Sequence, residues 1–175
     1  MAEPHDPAHA DASETTADPV AQALSEHPTQ SLVAVHGHPI HAMSVAFPIA
    51  LAFCVLAADI AYWWSGDPFW ARVGLWSVGG AFVFGLLAAA AGTAELLLVE
   101  GIRRRSAPWT HFIIAMTLLS IHGLNWGLRL RHGIDIILPV GLAASALGWI
   151  FTAFTGWHGG KLVFDYRLGT AENGD

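Results

Sequence analysis

From about position 42 onward the chain is a series of long apolar runs separated by short polar breaks. The runs cover about 42–64, 69–99, 107–130 and 134–163, and each meets or exceeds the ~20 residues that a helix needs to cross the hydrocarbon of a bilayer. Only a helix satisfies its own backbone in lipid over a single such run, so the pattern predicts four transmembrane helices. The breaks are polar and turn-forming: Ser65-Gly66-Asp67-Pro68, Glu100 to Ser106, and Leu130-Arg131-His132-Gly133. Trp63, Trp64, Phe69, Trp70, Trp109 and Trp157 fall at or near the ends of runs, where interfacial aromatic residues sit. The expected fold class is all-α, an integral-membrane four-helix up-down bundle over residues 36–168. It has no internal domain boundary, because each helix needs its neighbours to cover its polar groups.

Residues 1–35 read differently. Glu3, Asp6, Asp11, Glu14, Asp18 and Glu26 stand there without a single Lys or Arg. Such a segment buries too little surface to offset its ordering entropy, so it is expected to be a disordered acidic tail, with His5, His9 and His27 solvated. It lacks the basic and apolar regions of a secretory signal peptide. A short C-terminal tail follows at 169–175.

Composition agrees with the membrane reading. The 175 residues are 54% hydrophobic and 13% charged, against about 25% charged in soluble domains. A net charge of -6 with eight cations over the whole chain excludes a nucleic-acid-binding face. The single Cys54 excludes an intramolecular disulfide and a CxxC pair, and reads as a small packing residue. There is no Ser-His-Asp order, phosphate loop or HExxH, so nothing marks a stand-alone enzyme. Four crossings put both termini, Arg103-Arg104-Arg105, Lys161 and Arg167 on one side, against Arg72, Arg129 and Arg131 on the other. The positive-inside rule then places both termini in the cytoplasm of an inner membrane.

Polar residues within the runs mark the inward faces, because lipid cannot solvate them. On the second helix Ala81, Gly85, Ala88, Gly92 and Glu95 form a small-residue stripe that admits a neighbouring helix or a flat ligand. On the third, His111, His122 and Arg129 fall within about 20° of one another, with Asn125 about 40° to one side. His122 lies deepest, and Asp59 on the first helix is its expected buried partner. Pro39 suits the first helical position, after His38, and Pro48 should kink the first helix by removing a bond to the carbonyl of Ser44.

Up-down crossing gathers His38 and His41, Glu95, His111 and His158 at one membrane face. Imidazole ligates metals, and paired His on facing helices can hold a haem iron. His41, His111 and His158 are therefore the candidates for binding b-type haem. His38, His41, His111 and Glu95 are the candidates for a zinc, copper or iron site. Arg103 to Arg105 lie on the same side, where they could meet haem propionates. The expected function is a cofactor-binding module for membrane electron transfer with a redox or respiratory partner protein. Two alternatives remain open: an accessory subunit whose buried His and Glu groups lock its helices, and a proton or small-solute conduit along His111, Asn125, His122 and Arg129.

The stretch from Gly37-His38-Pro39-Ile40-His41 to Phe47-Pro48-Ile49-Ala50-Leu51 resembles the opening of a bacterial four-helix membrane family called domain of unknown function 2231. Arg103 to His111 and Gly156-Trp157-His158-Gly159-Gly160-Lys161-Leu162-Val163-Phe164 agree with the same family, so the resemblance spans 37 to about 169. It implies a polytopic bacterial inner-membrane protein. Some relatives are fused to a Rieske iron–sulfur domain, which implies a role near electron transfer. Ala42, Ala115 and Glu95 depart from residues usual in the family, and His38, His41 and His111 are the candidate positions that it supports best.

Overall fold

The computed structural model describes residues 29–169. Most of the expected acidic tail and the last residues of the expected C-terminal tail lie outside the described residues. The chain enters as a small hairpin, β1 (Ala34–Val35) against β2 (His38–Pro39), turning through His36 and Gly37 at positive φ. A short helix α1 (Ile40–Ser44) leads into α2 (Ala46–Ser65), and α3 spans Pro68–Leu98. After the single turn of α4 (Glu100–Arg103) come α5 (Ser106–His132) and α6 (Leu142–Phe164).

Local chemistry sets the ends. Gly66, at φ 67, takes the left-handed conformation that closes α2, and its N–H donates to the Tyr62 carbonyl at 2.8 Å. One residue later the Asp67 carboxylate accepts from the Phe69 N–H at 2.8 Å, with Pro68 in the first turn of α3 where its missing donor costs nothing. The first run is indeed interrupted, at Val45, about one turn before Pro48, where the missing proline N–H frees the Ser44 carbonyl. Pro39 caps α1 and does not open it, so His38 sits one position further out, in the hairpin.

Three helical stretches are long and apolar enough to cross a membrane: Ile40–Ser65, Pro68–Leu98 and Ser106–Phe164. The last has 59 residues; drawn straight it would reach about 88 Å, nearly three hydrocarbon thicknesses. It is folded instead into α5 and α6. A tight turn at Gly133–Ile136 and a wide one at Ile137–Gly141, non-helical at Leu138, reverse the chain between them. The four long helices pack in a closed ring, α2 on α3, α3 on α5, α5 on α6 and α6 on α2.

The interior is rich in small and polar residues, with a few larger apolar ones such as Val55, Val78 and Ile137. Ala52, Ala58, Ala71, Ala81 and Ala88 are buried together with Asp59, His122, Asn125, Arg129 and Ser145. Large apolar side chains face outward along every helix, among them Phe53, Trp76, Leu87, Leu124 and Phe154. A water-soluble domain buries such groups, so this inverted distribution is that of a bundle surrounded by lipid. Trp63, Trp64, Phe69, Trp70, Trp109 and Trp157, placed near helix ends by the sequence, are all exposed.

Residues 29–35 fall within the expected tail but are held in place. The Gly169 N–H donates to the Thr29 carbonyl at 2.8 Å, and the Val33 N–H donates to Glu95 Oε1, also at 2.8 Å. The Ser31 hydroxyl donates to the same carboxylate oxygen. The ordered chain therefore starts earlier than composition suggests, because a carboxylate at the end of α3 supplies the acceptors that this polar strap needs.

Candidate functional site

Two polar centres lie along the bundle axis, and an apolar cavity extends from one toward the other. Asp59 forms the first. Arg129 Nη1 donates to Asp59 Oδ1 at 2.9 Å and Nη2 to Oδ2 at 2.5 Å, a two-pronged ion pair across the bundle from α5 to α2. The Ser145 hydroxyl on α6 donates to Asp59 Oδ2 at 2.6 Å. Asn125 accepts from Arg129 Nε at 2.8 Å and donates to Ser145 Oγ at 3.0 Å. All four side chains are buried. Every guanidinium nitrogen is engaged, which is the condition under which a buried charge pair is tolerated.

This corrects the expected pairing of Asp59 with His122. Asp59 is taken by Arg129 and Ser145, because a guanidinium neutralises a carboxylate and reaches it with two parallel donors, where an imidazole offers one. His122 is 3% exposed, and neither ring nitrogen has a hydrogen-bond partner among the described residues. Its Cε1 packs on Gly148 of α6, where an added β-carbon would come within 2.9 Å.

The second centre lies toward the other end. His41, in α1, and His111, in the second turn of α5, meet edge to face with ring centres 6.3 Å apart. The His41 Nδ1–H donates to the Ala88 carbonyl of α3 at 2.7 Å, which leaves Nε2 as the ring's lone-pair donor. Gly92, one turn further along α3, makes room for that ring: a β-carbon there would stand 2.7 Å from His41 Nδ1. The buried His111 Nδ1 has no partner among the described residues, and the ring rests on Gly159 of α6.

The other candidates fall around this pair. His158 lies near enough to His111 to interact electrostatically, but its Nδ1 is hydrogen-bonded to the Phe154 carbonyl of its own helix at 3.1 Å. His38 is exposed in the hairpin, its Nδ1 set against the His36 carbonyl at 2.8 Å. Glu95 is 8% exposed and holds the strap through Oε1, while Oε2 has no partner among the described residues. No group of three or more His, Cys, Asp or Glu side chains is arranged to hold a metal ion among the described residues. The expected set of His38, His41, His111 and Glu95 is thus drawn apart by the hairpin and the strap. Arg103 Nη1 donates to the Leu97 carbonyl, Arg104 pairs with Glu100, and Arg105 Nε donates to the Gly101 carbonyl, so these contacts hold the three cations against their own turn.

A cavity of about 390 Å³ runs from His41 and His111 to His122, within the ~300–1,000 Å³ of small-molecule sites. Ala81, Gly85 and Ala88 of the α3 small-residue stripe line it, with Leu119 of α5 packed on Gly85, where an added β-carbon would come within 2.7 Å of its Cδ2. A smaller space of about 130 Å³ shares His41 and His111 and continues to Glu95.

A family model described as a predicted membrane protein (DUF2231) matches residues 37–172. The chain belongs to this family. The DUF2231 match covers all four long helices and both histidines of the facing pair, but not the acidic segment ahead of them. No curated protein and no solved structure matches the chain.

The Asp59 lock was missed as a set, although its members were each visible as polar groups. Asp59 lies about 9 Å before the end of α2, Arg129 about 4.5 Å before the end of α5, and Ser145 about 4.5 Å after the start of α6, on the 1.5 Å rise of a helix. Up-down topology puts those three ends together, but His122, about 15 Å from its end, is only about 6 Å off the level of Asp59 against about 4.5 Å for Arg129, so depth alone does not choose between them.

Proposed function

We propose that this protein is a membrane module that binds a b-type haem, with His41 and His111 as the ligands, and exchanges electrons with a partner protein in or at the bilayer. The observation that carries the reading is the facing imidazole pair, 6.3 Å between ring centres. With metal–nitrogen bonds of about 2.0–2.1 Å, the centres of two imidazoles sharing one metal stand roughly 6 Å apart, and binding would turn the ring that presents its face so that an in-plane nitrogen of each meets the metal. The hydrogen bond from His41 to Ala88 is the kind of support that orients a ligand histidine and leaves its other nitrogen basic. The unpartnered His111 Nδ1 is a second lone-pair donor, and Gly92 and Gly159 let the His41 and His111 rings lie close against α3 and α6.

The test is a visible absorption spectrum, oxidised and dithionite-reduced, on protein purified in mild detergent from haem-replete cells, with elemental analysis of the same sample. A Soret band with a sharpened reduced α-band is expected, and it should be lost in both His41→Ala and His111→Ala. A single bound zinc, copper or iron ion without a Soret band would keep the ligand pair and replace the haem. Colourless, metal-free protein overturns the reading.

A second reading is favoured by the Asp59–Arg129 lock, which needs no ligand. There the protein is an accessory subunit whose buried polar groups fix the helices. His41→Ala and His111→Ala would then lower stability and assembly without removing any bound species.

A further inference from the structure

The cavity's far end carries a second feature that the facing histidines do not use. His122 lines its floor, 3% exposed, with both ring nitrogens unpartnered among the described residues. An imidazole without partners in an apolar site costs free energy that a ligand offering a hydrogen bond would recover. The surrounding wall is apolar, formed by Pro48, Ile49, Leu118 and Leu119, and the nearby Thr152 hydroxyl already donates to the Gly148 carbonyl. Among the described residues no Asp, Glu, Lys or Arg side chain lines this cavity. Its occupant is therefore uncharged, largely apolar, and hydrogen-bonds at one edge.

The cavity also has a doorway. Gly156 of α6 lines it and is exposed, and a β-carbon at that position would meet nothing within 4 Å. At Gly160, one turn on, only the Phe164 ring comes as near as 4.0 Å. Further along the α2–α6 seam, Phe53 and Trp149 close the wall with ring centres 6.0 Å apart. Gly156 lies about 12 Å inside the end of α6, at a depth where the surrounding phase is hydrocarbon.

We infer that this doorway admits a lipid-soluble quinone, whose ring lies in the apolar cavity among Ala81, Ala88 and the Leu119 side chain packed on Gly85, and whose carbonyl accepts a hydrogen bond from His122. A quinone joins the two properties that the site selects: an apolar body that arrives through the bilayer, and a carbonyl at its edge. His122 lies about 16 Å along α5 from His111, so its hydrogen bond does not require iron at the facing pair, although the doorway at Gly156 opens about 4.5 Å along α6 from Gly159, which touches His111.

The test uses the full chain in detergent micelles and in liposomes, titrated with decylubiquinone and followed by tryptophan fluorescence, with quinone extracted from the purified protein quantified in parallel. Saturable binding is expected in the wild type. His122→Phe keeps a ring and removes the donor, and Gly156→Phe fills the doorway where no neighbour stands in the way. Each should raise Kd tenfold or more. Gly156→Phe should leave thermal stability unchanged, so the proposal stays testable if His122→Phe does not fold. Absence of saturable binding, extraction of phospholipid without quinone, or equal Kd in both variants and wild type overturns it. The visible spectrum of the same sample separates the two readings: haem without quinone refutes this site alone, and quinone without haem refutes only the haem.

Discussion

Gly74 of α3 sits where two charges of opposite sign come closest. A β-carbon there would stand 2.7 Å from Arg129 Nη1 and 3.0 Å from Asp59 Oδ1. The far end of an arginine usually moves aside cheaply, but this one is held by Asp59, Asn125 and Ser145 at once. Gly74→Ala is therefore expected to destabilise the bundle by about 1–3 kcal/mol, as overpacking of a filled interior does. Gly127→Ala on α5 meets nothing within 4 Å and should be neutral or stabilising by up to about 1 kcal/mol, from helix propensity alone. Unfolding of both variants in mixed micelles compares them directly, and equal effects would refute the crowding at Gly74. At this scale the inward polar stripe of α5 was legible, since His122, Asn125 and Arg129 are all buried. The partner of Asp59 was not, because spacing along one helix places a residue on a face and at a depth but does not choose between two candidates on another helix.

Among the elements, the least expected is the strap that crosses the end of the bundle before α1. Its apolar stretch, residues 32–35, is too short to announce it, and alongside the Gly169 N–H to Thr29 carbonyl bond it is held by one carboxylate at the far end of α3. Glu95 Oε1 accepts from both the Ser31 hydroxyl and the Val33 N–H, and hydrogen bonds to a charged group contribute about 1.5–3 kcal/mol each. Glu95→Ala removes the one oxygen that accepts both bonds and should release residues 29–39, seen as faster amide exchange and new proteolytic cuts there. Glu95→Gln keeps a carbonyl oxygen in the same place and should retain most of the protection. Equal exchange in Glu95→Ala and wild type would show that the strap is held by other contacts. The long helices were easier to read: their apolar runs exceed the membrane span, and Gly66, Asp67-Pro68 and Gly133 mark their ends by chemistry that acts within a few residues. The short α1 and the wide turn at Ile137–Gly141 leave no comparable periodic signal.

For the molecule as a whole, inverting the usual distribution of side chains removes the ordinary source of cohesion. Large apolar groups gain nothing by leaving lipid for the interior, so the helices are held by close backbone approach at small residues and by interhelical polar contacts. The Asp59–Arg129 pair matters most in that setting because it joins two helices that face each other across the ring. Removing one partner leaves a buried charge without compensation, and Asp59→Ala or Arg129→Ala should each cost about 3–5 kcal/mol. Removing both deletes the attraction and the desolvation penalty together, so the double variant should lie well above the sum of the two losses in stability. A double-mutant cycle measured by reversible unfolding in micelles gives the coupling, which is expected to exceed about 1 kcal/mol for residues in direct contact. The same cycle run on Asp59 and His122 should show additivity within about 0.5 kcal/mol. Strong coupling of Asp59 to His122, or none to Arg129, would return the carboxylate to the imidazole and overturn the lock.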